Sequence, residues 1–316
     1  MLGAGLLLAA PGARAAVKNW AGTTSGYWGT GSNWTGGVAP VNGDDLVFPV
    51  GGRAVNTNNF TNLKVKSITF TGGTYDVRGN ALTVTNGISS QQAAGANLFE
   101  CNVTLGAAQT VECTTAGTSL YLEGNLTNGG FTLTVSGNGT VGLDGSISGS
   151  GGVTKNGTGT LSYGGGTANT YSGATLVNSG TLLLTKTIAN GGVVANTLTI
   201  GDGSGAAGSA VVRLATNSQI PDTPDIVINA DGLLDLNDIH EVIGDSLTLN
   251  DGEIQMGTGV LTLAANSTIS ISGNPHIYGK LSVGTGTCTI QGSGYPIIYA
   301  DVSGSANIVK NGNVAV

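Results

Sequence analysis

The chain has 316 residues, of which 55 are glycine and only 7 proline, with 9% charged and 40% hydrophobic residues. No three-residue glycine period runs through it, which excludes a collagen helix, and so few charges among so many apolar residues exclude a disordered chain. Net charge is −7 with only 11 Lys and Arg, so no basic stripe exists to neutralise phosphates and nucleic acid is not an expected partner.

Residues 1–15 read as an export signal. Leu2 to Ala10 is apolar, and Ala13-Arg14-Ala15 offers a small-residue cleavage site, with cleavage expected after Ala15. No Lys or Arg precedes the run, so an apolar N-terminal strand is the competing reading. The run is too short to cross a bilayer, and nothing later is long and apolar enough for a membrane span. Export would permit disulfides. Cys101 and Cys113, twelve apart on strand-like runs, either pair or stay buried as free thiols, and Cys288 is the odd one. Three scattered cysteines and two histidines do not make a zinc site.

Residues 16–50 hold every tryptophan of the chain, Trp20, Trp28 and Trp34, together with Tyr27 and the turn Gly43-Asp44-Asp45. Such rings can stack on sugars. They can also cover the end of a solenoid, where core and strand edges would lie open. The segment is read as a cap.

Residues 51–316 are a succession of short runs with period two, separated by Gly, Asn and Ser. Among them are Leu82–Thr85, Leu120–Glu123, Phe131–Val135, Thr181–Leu184, Thr197–Ile200, Ser246–Leu249 and Val260–Leu263. Apolar residues would point inward and Thr outward. Asn86-Gly87, Asp231-Gly232 and Asp251-Gly252 would suit hairpins of stacked sandwiches. The evenness of the runs and the sparse charge favour an all-β fold, a parallel β-helix (β-solenoid) with an N-terminal Trp-rich cap. With a rung every ~20–25 residues there would be about a dozen rungs and a rod roughly 60 Å long. The strands at Thr181–Leu184 and Ser246–Leu249 are expected to stack in parallel with their leucines inside. One internal match supports a repeat. The run from Ile147 to Lys155-Asn156-Gly157 is echoed from Val302 to Lys310-Asn311-Gly312, and the partial second copy suggests an open end or a longer protein.

Residues 147–182 resemble the autotransporter-associated β-strand repeat. The matching positions are Gly149-Ser150-Gly151, Lys155 with Gly157, Gly159-Thr160-Leu161, Asn169-Thr170-Tyr171 with Gly173, and Gly180-Thr181-Leu182. The stretch from Gly232 to Leu263 and the Trp-rich opening are similar to sequence common in such proteins. The resemblance implies a right-handed β-helix, a passenger-type surface protein of Gram-negative bacteria, and adhesion. No outer-membrane barrel accompanies the repeat, so self-secretion is not expected of these residues.

Asp222, Asp225, Asp231, Asp235, Asp238, Glu241, Asp245, Asp251 and Glu253 gather half of the 18 acidic residues. Paired carboxylates could serve glycoside cleavage, and carboxylates with Asn237 could hold calcium. No calcium-loop motif is present, and most of these acids flank turns, where Asp bonds its own backbone. Gly203, Gly205 and Gly208 have dinucleotide-loop spacing, but strand-like sequence follows where a helix is required. His240 beside Glu241 lacks a second histidine, and His276 is isolated. Lys155 and Lys310 recur at equivalent repeat positions, and stems lying along the coil with the charge outside explain both. No catalytic, cofactor-binding or metal residues are therefore assigned, and no enzyme is expected. The expected function is a structural or adhesive module of a secreted surface protein. The alternatives are a self-assembling fibre subunit and a β-helix polysaccharide lyase or hydrolase. Expected partners are a surface glycan or a host or biofilm ligand. At the C-terminal edge, formed by Ile308-Val309-Lys310 and Val314-Ala315-Val316, a second copy or further chain is expected.

Overall fold

The computed structural model describes residues 15–189, 192 and 196–314. The expected export signal at Leu2–Ala10 lies outside the described residues, as do Ala315 and Val316.

Short alternating strands joined by tight corners can bury their apolar side only by stacking on copies of themselves. This chain does so as a parallel β-solenoid of about 13 turns. A full turn contributes one strand to each of three faces. The first face has 14 strands, from Val17–Asn19 to Asn307–Val314. The second runs from Val55–Asn58 to Ile297–Gly304. The third is built in two stretches. Leu63–Val65, Leu82–Val84, Val103–Leu105, Leu126–Thr127 and Ile147–Ser148 form one. Glu241–Ile243 and Leu261–Leu263 begin the other, which the second halves of His276–Val283 and Ile297–Gly304 complete. Those last two strands run unbroken from the second face to the third.

Every pairing between described strands is parallel; an isolated antiparallel bridge joins Trp20 and Trp34. The Asn-Gly and Asp-Gly dipeptides accordingly mark corners. Gly87, at φ +108°, turns the chain from Leu82–Val84 to Ile88–Ser90. Leu63, Leu82, Val103, Leu126 and Ile147 lie in one column, each 19 to 23 residues after the last. That matches the rung length expected from the sequence.

Period two decides what is inside. In Gly180–Leu184, Leu182 and Leu184 are buried, while Leu183 points out between Ser162 and Arg213 of the neighbouring rungs. The expectation that all leucines of this strand are inside is corrected by the pleat. Leu247 and Leu249 of Ser246–Asn250 are both buried. Phe131, expected within a strand, lies in the corner before Leu133–Gly137 and is half-exposed. One corner shows why glycine is so abundant. A side chain at Gly137 (φ +98°) would collide with the Cys113 carbonyl, and one at Gly159 with the Gly139 carbonyl. Successive turns approach backbone to backbone there, leaving no room for a Cβ.

All three cysteines are buried and free. Burial pushes the Cys101 thiol up to about 12. Cys113 lies 3.2 Å from the Thr118 hydroxyl. Among the described residues no helix is long and apolar enough to cross a membrane.

Candidate functional site

At the N-terminal end the three indoles close on one another. Trp20 and Trp34 pack edge to face at 5.0 Å, and all three tryptophans lie 5.7 to 6.1 Å from Phe48. Phe48 stacks on Phe70 of the next turn at 5.1 Å. Each indole N–H is taken up inside. Trp20 donates to the Arg53 carbonyl (2.9 Å), Trp28 to Asn56 Oδ1 (2.7 Å) and Trp34 to the Trp28 carbonyl (2.8 Å). The buried Asp44 carboxylate accepts from the amides of Ala16 and Val41 at 2.8 and 2.9 Å. These rings offer no face to a sugar. They fill the end of the coil as a cap, and of this group only Tyr27 is exposed.

The repeat motif owes its residues to the interior. Lys155 is buried, which corrects the reading that placed its charge outside. Its Nζ donates to the carbonyls of Asn156 (2.9 Å), Gly157 (2.7 Å) and, on the following turn, Ser179 (3.1 Å). A side chain at Gly180 (φ +71°) would press to 2.7 Å from that nitrogen. Tyr171 bonds Thr175 Oγ1 (2.7 Å) and meets the Tyr163 hydroxyl at 3.2 Å. Asn169 accepts from the Ile147 amide (3.0 Å) and donates to the Gly192 carbonyl (2.8 Å), linking three turns. A second lysine, Lys186, is also buried and donates to the carbonyls of Gly145 (3.2 Å) and Gly164 (2.6 Å). Burial holds both ammonium groups down at about 8, with Asp144 pulling Lys186 partly back. Sequence reasoning missed Lys186 because a single lysine in a strand-like run gives no sign of facing inward. A lysine poised near neutrality is a nucleophile where a substrate can reach it. These two are enclosed, and their protons point at main-chain carbonyls.

The acidic stretch is dispersed over several corners. Asp231 accepts from the Gly203 amide (2.7 Å), closing the glycine loop, and the strand Ala210–Leu214 follows that loop. Asp235 pairs with Arg213 Nε (2.7 Å) and accepts from the Asn237 amide (2.8 Å). Asp238 accepts from the Thr258 amide (2.7 Å), which holds its carboxyl below the usual range. Asp251 accepts from the Asn274 amide. Glu241 is buried, accepts from the Gln219 amide (2.7 Å), and is pushed up to about 7 by burial. Among the described residues, no three or more His, Cys, Asp or Glu converge as a metal site. His240 is exposed, and His276 sits edge-on to Tyr278.

An exposed aromatic pair lies far from the tryptophans. On the second face Tyr278 and Tyr299, paired in register, stack at 5.3 Å and 9°, with Tyr299 66% exposed. Nearby lie the last described turns of the coil. An apolar cavity of about 230 Å³ is lined there by Ile277, Leu281, Val283, Ile290, Val302 and Ile308, among others. Val314, read from sequence as part of the open edge, is buried instead. Lys310 is exposed, unlike its repeat counterpart Lys155.

Comparison of the chain with protein-family models, with curated proteins and with solved structures gives no match. The likeness to the autotransporter-associated repeat therefore rests on the motif residues within 147–182.

Proposed function

We propose that the chain is a non-catalytic structural or adhesive rod of a secreted bacterial surface protein. The observation that carries this reading is the way the interior lysines are held. The groups with the most chemical potential, Lys155 and Lys186, serve as fasteners between turns. The outer faces carry chiefly Thr, Ser and Asn, whose hydroxyls and amides suit weak, repeated polar contacts. The export-type N-terminus and the repeat motif support an extracellular setting on a Gram-negative cell. Among exposed groups, the Tyr278–Tyr299 stack is the best contact point for an adhesive role, because flat apolar rings with polar edges suit glycans.

The test is a panel of neutral and acidic polysaccharides assayed in parallel for retention of the protein and for cleavage. Retention without cleavage is expected. Turnover that disappears in Asp235→Asn or Asp238→Asn would replace the rod with a lyase or hydrolase. A fibre subunit is the second reading, favoured by the apolar cavity among the strands Thr268–Gly273 to Asn307–Val314. Light scattering that rises with protein concentration would promote it.

A further inference from the structure

The first strand begins against a buried carboxylate. Asp44 is fully enclosed, at 0% exposure. Its Oδ1 accepts the Ala16 amide at 2.8 Å and its Oδ2 the Val41 amide at 2.9 Å. Among the described residues the cation nearest to it is Lys18, whose Nζ stands 4.0 Å from Oδ2. Lys66 is occupied by Asp45 at 3.1 Å. Burying a carboxylate is costly unless positive charge and hydrogen bonds offset it. Here two neutral amides and one ammonium group at the limit of contact supply the offset.

The backbone fixes the Ala16 nitrogen on that oxygen. The Ala16 carbonyl accepts the Asp45 amide at 2.9 Å, and Val17–Asn19 pairs in parallel with the strand that starts at Asp45. The Asp44 carbonyl accepts the Lys66 amide (2.8 Å) of the following turn. One residue therefore ties together the first strand, the turn at 41–44 and the next turn, and the first strand leads directly into Trp20. Ala15, Ala16 and Val17 are all exposed, so the Ala15–Ala16 bond lies at the surface. It is the bond that follows Ala13-Arg14-Ala15. Its hydrolysis consumes one water. The Ala15 carbonyl carbon departs with the leader as a carboxylate, and the Ala16 nitrogen becomes a free amine, mostly protonated at pH 7 because an α-amino group has a pKa of about 8. A neutral amide on Asp44 is thus exchanged for a full positive charge held at the same place.

We infer that the Ala15–Ala16 bond is a processing site for a signal peptidase, and that the α-ammonium group released at Ala16 locks the N-terminal cap through an ion pair with Asp44. Export and tightening of the cap are then one event, since the uncut chain has only the amide. This goes beyond the rod reading and rests on residues 1–15 being an export signal.

Three forms of the protein separate the parts. They are the full chain, the chain starting at Ala16 with a free amine (released in vitro from a fusion by a protease that leaves no extra residue), and that same chain acetylated on the amine. Acetylation keeps the N–H donor and removes the charge. In amide hydrogen exchange at pH 6.5, protection at 18–20 and 45–47 should be about tenfold or more higher in the free-amine chain than in the acetylated one, the gain from a charge-assisted hydrogen bond. The full chain should match the acetylated form. Asp44→Asn should erase the difference, and acetylation alone decides the matter if that variant does not fold. Mass spectrometry of the protein exported by a Gram-negative host should find Ala16 as the first residue. Equal protection in the free-amine and acetylated chains, or a difference that survives Asp44→Asn, would overturn the ion pair and leave the export reading standing. An exported chain that begins elsewhere than Ala16 would overturn the inference through the export reading itself.

Discussion

The two ends of the rod solve the same physical problem in opposite ways. Any solenoid exposes core and unpaired backbone at its first and last turns. At the N-terminal end, three indoles satisfy their N–H groups internally and stack over Phe48, so the core stops at a dry aromatic lid. At the C-terminal end, aliphatic residues of the inward rows stand in the open around a cavity. The difference teaches that the rod has a direction. At the first described turns aromatic rings fill the interior around Phe48, and at the last described turn the aliphatic inward rows stand in water.

The comparison breaks most easily at the lid. Trp28→Ala removes a fully buried ring and leaves Asn56 Oδ1 without its donor. A loss of about 3–5 kcal/mol is expected, read as a lower urea midpoint. Contacts in a solenoid run mainly between neighbouring turns. Hydrogen exchange should therefore rise first around Val17–Asn19 and Asp45–Phe48, and far less beyond residue 200. A uniform rise along the whole chain would mean that the rod unfolds as one unit.

The two equivalent lysines sharpen the comparison. Lys155→Ala leaves three carbonyls without their donor and a void between turns, and about 1–3 kcal/mol of stability should be lost. Lys310→Ala should shift stability by no more than about 0.5 kcal/mol, as at an ordinary surface site. Equal losses in denaturant titrations would show that the end is covered in the isolated chain.

Titration separates the interior further. Glu241 is raised to about 7 in the folded chain from an ordinary 4.5. Its contribution is fully present below pH 4.5 and is lost as pH rises through 7. Glu241→Gln should flatten that decline. Lys155 and Lys186 behave in the opposite sense. They are lowered to about 8 from 10.5, so above pH 8 the unfolded chain holds more protons and stability should rise with pH. Cys101 opposes this above pH 9, and Tyr171, raised to about 12, opposes it above pH 10. Thermal midpoints measured from pH 7.5 to 9 should increase, and replacing both lysines with Met should abolish the increase.

Much of this was legible in the sequence. Alternation of apolar residues with Thr dictated short strands, and their even spacing, together with the internal match, dictated stacking over hairpins. Which way a polar side chain faces was less legible. Lys155 follows Val153 with period two and was inward by that rule. Charge argues for the outside, and only the carbonyls of a neighbouring turn overrule it. The tryptophans read as a cap because all three fall within fifteen residues near the start, and they are buried together around Phe48. Tyr278 and Tyr299, 21 residues apart, become neighbours only once the register is known. Val314 looked like plain edge sequence, and tertiary packing decided its burial.

The smallest expected effect concerns the open end in the isolated chain. Ile308→Lys and Val302→Lys place charge on inward-row positions that are already half in water. No core contact on a further turn is lost, so each should change stability by no more than about 0.5 kcal/mol. Val314→Lys is the contrast. That side chain is buried, and an unpaired charge there should cost several kcal/mol. The first two variants should nonetheless suppress any association at high concentration, since a lysine at a strand edge resists pairing with another chain. Sedimentation velocity on the wild type and the two variants, beside thermal melts of these three and of Val314→Lys, separates stability from association. If Ile308→Lys melted as low as Val314→Lys, residue 308 would belong to a closed core and the contrast between the two ends would fail.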